Sequence, residues 1–297
     1  MTCLQCIGAP DRENSIHLTM NAMKLKAVLC SALLFVVAVS LYGHDLFLKL
    51  TSHYLEPHQQ AVIALYNGTF DQSENVITRD RMVDVSIVGP EDEVEHPDTS
   101  DWWEKDDATW LDFETGTEGT YLIGVSTRSR VIELSAEDFD AYLSHDGVLD
   151  VLEARRQSGP HTEPVMERYS KHVKAIYQVG DRRTDAFARR LGYPIEIVPL
   201  SNPYEIKAGE GLDVLVLRAG EPVADQLVYA SYEGYHSHDP DGGHVESFVT
   251  RTDARGIARI EVTAAAKWYV RLIHMTESDE DEVDYESQWA TMTFEVR

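Results

Sequence analysis

The sequence predicts a mainly β protein: two immunoglobulin-like β-sandwich domains with a helical insert between them. Three observations carry that expectation. Short stretches alternating apolar and polar residues recur through 44–134 and again through 193–297. Glycine, proline and asparagine pairs such as Glu56-Pro57, Asn67-Gly68 and Gly89-Pro90 punctuate them, and between the two regions the apolar residues change to helical spacing.

The first region places strands at 44–51, 60–66, 81–88, 108–113, 119–126 and 130–134. The insert, 135–192, opens on Ser135 with Asp138 three residues on, a capping pattern, followed by Phe139, Tyr142, Leu143, Leu149 and Leu152 at helical spacing. A second helix is predicted over 165–177, where Val165, Met166, Tyr169, Val173, Ile176 and Tyr177 form one stripe. A third, short helix over 184–191 stops at Gly192. Strands return at 195–199, 212–218, 226–232, 245–251, 257–262, 268–275 and 288–296, at the regular spacing of an immunoglobulin-like sandwich. The acidic stretch 277–286 reads as a solvated hairpin tip, since it lacks the ligand spacing and glycine of a calcium loop.

Ahead of the first strand, Met23-Lys24-Leu25-Lys26-Ala27 leads into an apolar run over 28–41. A basic head and an apolar centre shorter than the roughly 20 residues of a membrane span describe a secretory signal peptide. Residues 1–43 are therefore read as an N-terminal extension and leader. The cut falls after Ser40, which closes the small-x-small run Ala38-Val39-Ser40, or after Gly43, which makes His44 the first residue of the working chain. Either cut predicts a periplasmic or secreted protein with no stable membrane anchor. Cys3, Cys6 and Cys30 all lie upstream of both cuts, so the exported chain has neither disulfide nor thiolate ligand.

Fifty-one acids face 26 bases, a net charge of −25. That field repels nucleic acid and anionic lipid and gathers cations. No nucleophile elbow, zinc-protease helix, phosphate loop or dinucleotide fingerprint is present, and the chain is not expected to be an enzyme. The residues that suggest chemistry are histidines. His236, His238 and His244 fall within one loop with Asp239, Asp241 and Gly242-Gly243; in extended chain, residues two apart point the same way, so two imidazoles can meet one ion. A terminal His44 offers its α-amine and ring nitrogen together, with Asp45 beside it, and His274, on an apolar strand face, is a candidate third nitrogen. Neutral imidazoles with carboxylates suit nickel, cobalt, zinc or copper(II). Each has a plainer reading: a polar surface loop for the first set, a first-strand residue for His44, a hydrogen-bonded core side chain for His274. Trp102-Trp103 reads as a ligand platform or as loop aromatics tucked against a sandwich.

His44-Asp45-Leu46-Phe47-Leu48-Lys49 after a leader, Glu167-Arg168-Tyr169-Ser170-Lys171, and 191–200 with Asn202-Pro203-Tyr204 resemble the NikM-like family of exported bacterial proteins of unknown function. The likeness continues through Gly220-Glu221-Pro222, 252–256 and 285–291, across essentially the whole exported chain. It implies association with nickel and cobalt uptake, a leader cut at Gly43, a membrane metal transporter as partner, and a last domain like the sandwich modules appended to carboxypeptidases. Some relatives carry a richer histidine loop than His236, His238 and His244. The expected function is thus an exported divalent-metal binding protein assisting uptake or delivery at the cell envelope. The rival is a metal-free sandwich that binds a sugar, a peptide or an envelope protein.

Overall fold

The computed structural model describes residues 44–237 and 246–297. Along the chain run β1 (Asp45–Leu50), β2 (Tyr54–Leu55), β3 (Gln60–Gly68), β4 (Met82–Val88), β5 (Val94–Glu95), β6 (Trp102–Lys105), β7 (Ala108–Glu114), β8 (Gly119–Thr127) and β9 (Arg130–Leu134). Two helices follow, α1 (Ala136–His145) and α2 (Leu149–Ser158), and then β10 (Val165–Val179). The remainder supplies β11 (Ile195–Pro199), β12 (Glu210–Arg218), β13 (Glu221–Pro222), β14 (Leu227–Tyr232), β15 (Phe248–Arg251), β16 (Ile257–Val262), β17 (Lys267–Glu277) and β18 (Tyr285–Glu295).

These strands form the expected sandwiches, and the two share one sheet. The central sheet runs β15-β14-β17-β18-β10-β8-β4-β5, with β2 and β9 also paired to β10. A front sheet, β1-β3-β7-β6, covers one face of it, and a rear sheet of β11, β12, β13 and β16 covers the other. Side-chain alternation makes this possible. On β10, Val173, Ala175, Tyr177 and Val179 enter the front core, while Ile176 enters the rear one. β8 is buried at every position because it has a layer on each side.

The insert expected to be helical over 135–192 is helical only over α1 and α2, with a short 3-10 turn at Asp185–Ala188. Ser135 caps α1 as the sequence suggested, its Oγ accepting from the Asp138 amide. The helix expected over 165–177 is instead the fifteen-residue strand β10, paired in parallel with β18 from Glu167↔Tyr285 to Ala175↔Thr293. Burial on both faces erased the two-residue alternation that marks a half-exposed strand, and the apolar residues that remained fitted a helical stripe. The third predicted helix reduces to the 3-10 turn and an extended run into β11.

The rear sheet is fixed to the centre by a buried polar post. Lys174, on the rear face of β10, bonds Glu196 of β11, and both side chains are 3% exposed. The same carboxylate accepts the backbone amides of Leu191, Gly192 and Tyr193 at 2.9, 2.7 and 3.0 Å. Gly192 supplies the positive φ (76°) that this loop needs. Gly124 lets the loop lie on β8, since a Cβ there would stand 2.2 Å from Leu191 Cδ1.

α1 and α2 pack on the front face beside the front sheet, burying Phe139, Tyr142, Leu143 and Leu152 against Ile273, Met275, Tyr285 and Trp289. Between the helices and the front sheet, the central sheet presents charged side chains instead of apolar ones. Among the described residues no helix is long and apolar enough to cross a membrane.

Candidate functional site

β1 is held to β3 in the register Asp45↔Gly68 and rests on β18, whose Thr291 and Thr293 hydroxyls donate to the carbonyls of Leu46 and Leu48, each at 2.6 Å. Leu46, Leu48 and Leu50 fill the front core. The alternate positions turn toward β17: Phe47 meets Tyr269 at 5.2 Å between ring centres, and the Asp45 carboxylate stands 3.4 Å from Arg271 Nε. The first residues of the described chain are thereby placed at the mouth of an enclosed group of charges.

Arg271 is 6% exposed. It donates to Glu246 from Nε at 2.7 Å and again from Nη2, donates to the Asp146 carbonyl at 3.0 Å, and stacks over Tyr229. Lys171 of β10 donates to the His44 carbonyl and to Asn67 Oδ1, and lies over the rings of Tyr169 and Trp289. Glu167, 1% exposed, accepts at Oε1 from the hydroxyls of Tyr142 and Ser287. Asp146 holds His145 Nδ1 at 2.7 Å. Two buried oxygens, Asp146 Oδ2 and Glu167 Oε2, have no hydrogen-bond partner among the described residues.

Four carboxylates here (Asp45, Asp146, Glu167, Glu246) surround two cations, Lys171 and Arg271, and Arg81 also lies over the Tyr169 ring. Enclosure shows in the protonation equilibria. Burial pushes Asp45 up to about 6 against the pull of Arg271, and pushes Glu167 up to about 7. Burial also brings Lys171 down to about 8. Burial opposes the Arg271 charge, yet Asp45 and Glu246 hold it firmly protonated. The hydrogen bond to Asp146 raises His145.

A carboxyl whose folded pKa exceeds its free value stabilises the fold below the free value and loses that contribution as pH rises through the folded one. For Glu167 the window runs from 4.5 to about 7. Glu167→Gln is therefore expected to narrow the difference in unfolding free energy between pH 5 and pH 8 by about 2–3 kcal/mol in urea titrations. An unchanged difference would show that Glu167 does not titrate in this range.

His44 is the accessible end of the group. Its Nε2 lies 2.7 Å from Glu74 Oε2, with side chains 21% and 43% exposed. His236 is exposed, while His238 and His244 lie outside the described residues. In the sequence they precede Glu246, the residue that holds Arg271. His274 is not brought to His44: it stands with Trp268, Val270 and Leu272 on the rear face of β17, opposite to Arg271, and its Nδ1 is 2.9 Å from Gln226 Oε1. Burial, reinforced by Arg218, lowers its pKa. Among the described residues no three His, Cys, Asp or Glu side chains converge as a ready metal cage.

Trp102 and Trp103 diverge. Trp102 tucks against the front core, and Trp103, 38% exposed, stacks on Trp110 with ring centres 5.3 Å apart. Sequence reading missed Glu74, His145, Asp146, Glu167, Lys171, Glu246 and Arg271. One signal was present: Arg271 stands between Val270 and Leu272 in a strand otherwise apolar at its centre, where a charge is costly unless paired.

A family model described as a domain of unknown function (DUF4198) matches residues 41–276. No curated protein matches the chain. Among solved structures, trypsin-activated alpha-2-macroglobulin from Escherichia coli is similar over 86% of this chain and 16% of its own, at 7% identity and a TM-score of 0.24. The Yersinia pseudotuberculosis adhesin InvE is similar over 84% of this chain and 60% of its own, at 13% identity and 0.21. The D0-D1 domain of intimin is similar over 86% and 100%, at 12% identity and 0.20.

Proposed function

We propose, for a chain that belongs to the DUF4198 family of domains of unknown function, the role of an exported carrier of a divalent transition-metal ion, bound at its first residues. The observation that carries this reading is the His44–Glu74 pair, 2.7 Å apart at the mouth of an enclosed group in which two buried oxygens find no partner among the described residues. First-row dications bind imidazole nitrogen and carboxylate oxygen at about 2.0–2.2 Å. Two such bonds at a right angle set the donors about 2.9 Å apart, so a slight opening of the pair admits an ion in place of the shared proton. Asp45 and the carboxylates behind it add negative potential without closing the site, which favours a cargo that must later leave.

A leader cut after Gly43 adds the His44 α-amine as a neighbouring donor. Its free pKa of about 7.7–8.0 makes metal and proton compete for it near neutrality. Imidazoles of His236, His238 and His244 would complete the coordination from the loop that ends at Glu246. The donor set is nitrogen and oxygen without sulfur, which suits nickel or cobalt, and zinc or copper(II) after them. The resemblance to the NikM-like family favours the first two as cargo and a membrane metal transporter as recipient.

Calorimetric titration of the exported protein with nickel tests this. His44→Ala and Glu74→Gln are each expected to weaken binding at least tenfold with the thermal midpoint unchanged, because both side chains are partly exposed. Affinity equal to the parent in both variants contradicts the assignment. A second reading, a sugar-binding module, is favoured by the exposed Trp103–Trp110 stack. Under it, Trp103→Ala abolishes binding to an oligosaccharide while the His44 variant does not.

A further inference from the structure

Beside the 191–193 loop, on the rear face of the central sheet, lies a cleft of about 740 Å³. Ser126, Ser170 and His172 line its polar side, and Val83, Leu191 and Pro194 its apolar side. His172 is 3% exposed, yet both ring nitrogens are engaged: Nε2 lies 2.9 Å from Ser170 Oγ, and Nδ1 lies 2.9 Å from Ser126 Oγ. Ser126 is as buried as the ring, so the accessible end of this chain is the half-buried Ser170. With its proton on Nδ1, donated to Ser126, the imidazole accepts the Ser170 hydroxyl at Nε2. Burial brings the His172 pKa down to about 4 against the pull of Glu196, which leaves the ring neutral at pH 7.

An alcohol on a neutral imidazole, whose second nitrogen is held by a third group, is the arrangement of an activated nucleophile. A serine in the third place orients the ring without a counter-charge for the imidazolium, so turnover is expected to be slow. The ladder on β10 changes register between β8, where Ile176 pairs with Leu122, and β9, where Tyr169 pairs with Arg130. One step beyond that last pair, Ser129 falls opposite Ser170, also lines the cleft, and has no hydrogen-bond partner for its amide or hydroxyl among the described residues. Donors left out of a ladder beside a nucleophile suit the oxygen that gains charge when a carbonyl is attacked.

We infer that this cleft performs acyl transfer on a short-chain carboxylic ester, with Ser170 as nucleophile, His172 as base and Ser129 as oxyanion donor. The bond from Ser170 Oγ to the acyl carbon forms as the hydroxyl proton passes to His172 Nε2. Collapse then breaks the ester C–O bond, and the leaving alcohol takes that proton. Water attacks the acyl group in the same way, giving a proton to His172, and the carboxylic acid leaves as Ser170 regains its own. The apolar wall receives the acyl chain. The inference does not depend on the metal reading, since the two sites share no residue.

A fluorophosphonate probe with peptide mapping, and hydrolysis of p-nitrophenyl butyrate, test it on the purified protein. A single adduct on Ser170 is expected, absent in His172→Gln. Because the His172 ring is buried, Ser170→Ala, which removes one half-buried oxygen, decides independently of fold: it is expected to lower hydrolysis at least tenfold with the thermal midpoint unchanged. No adduct on Ser170, or hydrolysis undiminished in Ser170→Ala, overturns the inference.

Discussion

Glu196→Gln is expected to lower the unfolding free energy by about 3–5 kcal/mol, the cost of leaving one member of a buried ion pair uncompensated. In a chain of this size that corresponds to a fall of roughly 6–20 °C in the thermal midpoint. The carboxylate it removes takes a bond from Lys174 and three from the 191–193 backbone, all inside the junction of the rear and central sheets. Burial already lowers the Lys174 pKa, and loss of Glu196 leaves the ammonium without its counter-charge. The Tyr193 hydroxyl, which donates to Asp84 of β4 at 2.6 Å, would lose its placement with the loop. Lys174→Met together with Glu196→Gln should recover part of the loss, since the pair acts as a unit. Chemical denaturation measures all three, and a single variant within 1 kcal/mol of the parent would contradict the role given to the post.

Arg271→Met is expected to cost a similar 3–5 kcal/mol at pH 7, for a different reason. Glu246 loses the donors on its carboxylate, and Asp45 loses the cation that lowers its pKa against burial. Asp45 then needs a proton to remain enclosed, so the deficit should shrink as pH falls toward 5. Lysine is a poor substitute here, because the planar guanidinium serves Glu246 and the Asp146 carbonyl along its edges and the Tyr229 ring on its face. Denaturation of the variant at pH 5 and pH 7 checks the sign. A deficit that grows on acidification would show that Arg271 is not the counter-ion of this group.

Most strands and the α1 cap were legible in the sequence because each rests on a local signal: alternation, turn residues, or a serine facing the amide three positions on. β10 was not, because its neighbours are distant in the chain and it is covered on both faces. Its buried Glu167, Lys171, His172 and Lys174 read as the polar side of a helix until their partners, Tyr142 of α1, Asp45 of β1, Ser126 of β8 and Glu196 of β11, are placed around them. His44 and Asp45 were visible as an unusual strand opening, but Glu74, thirty residues away, was not. No local pattern announces a pairing made by a loop folding back on the first strand. His274 misled for the converse reason: alternation correctly put it with Trp268 and Leu272, and the same alternation turns it away from Arg271 and Asp45.

The central claim is that the first residues hold a metal ion between an imidazole and a carboxylate. Anomalous diffraction at the nickel edge, from crystals of residues 44–297 grown with nickel, tests it most directly. The account predicts a peak about 2.1 Å from His44 Nε2 and from a Glu74 carboxylate oxygen. A nickel peak confined to other residues, or none with both side chains well ordered and still bonded to each other, would contradict it.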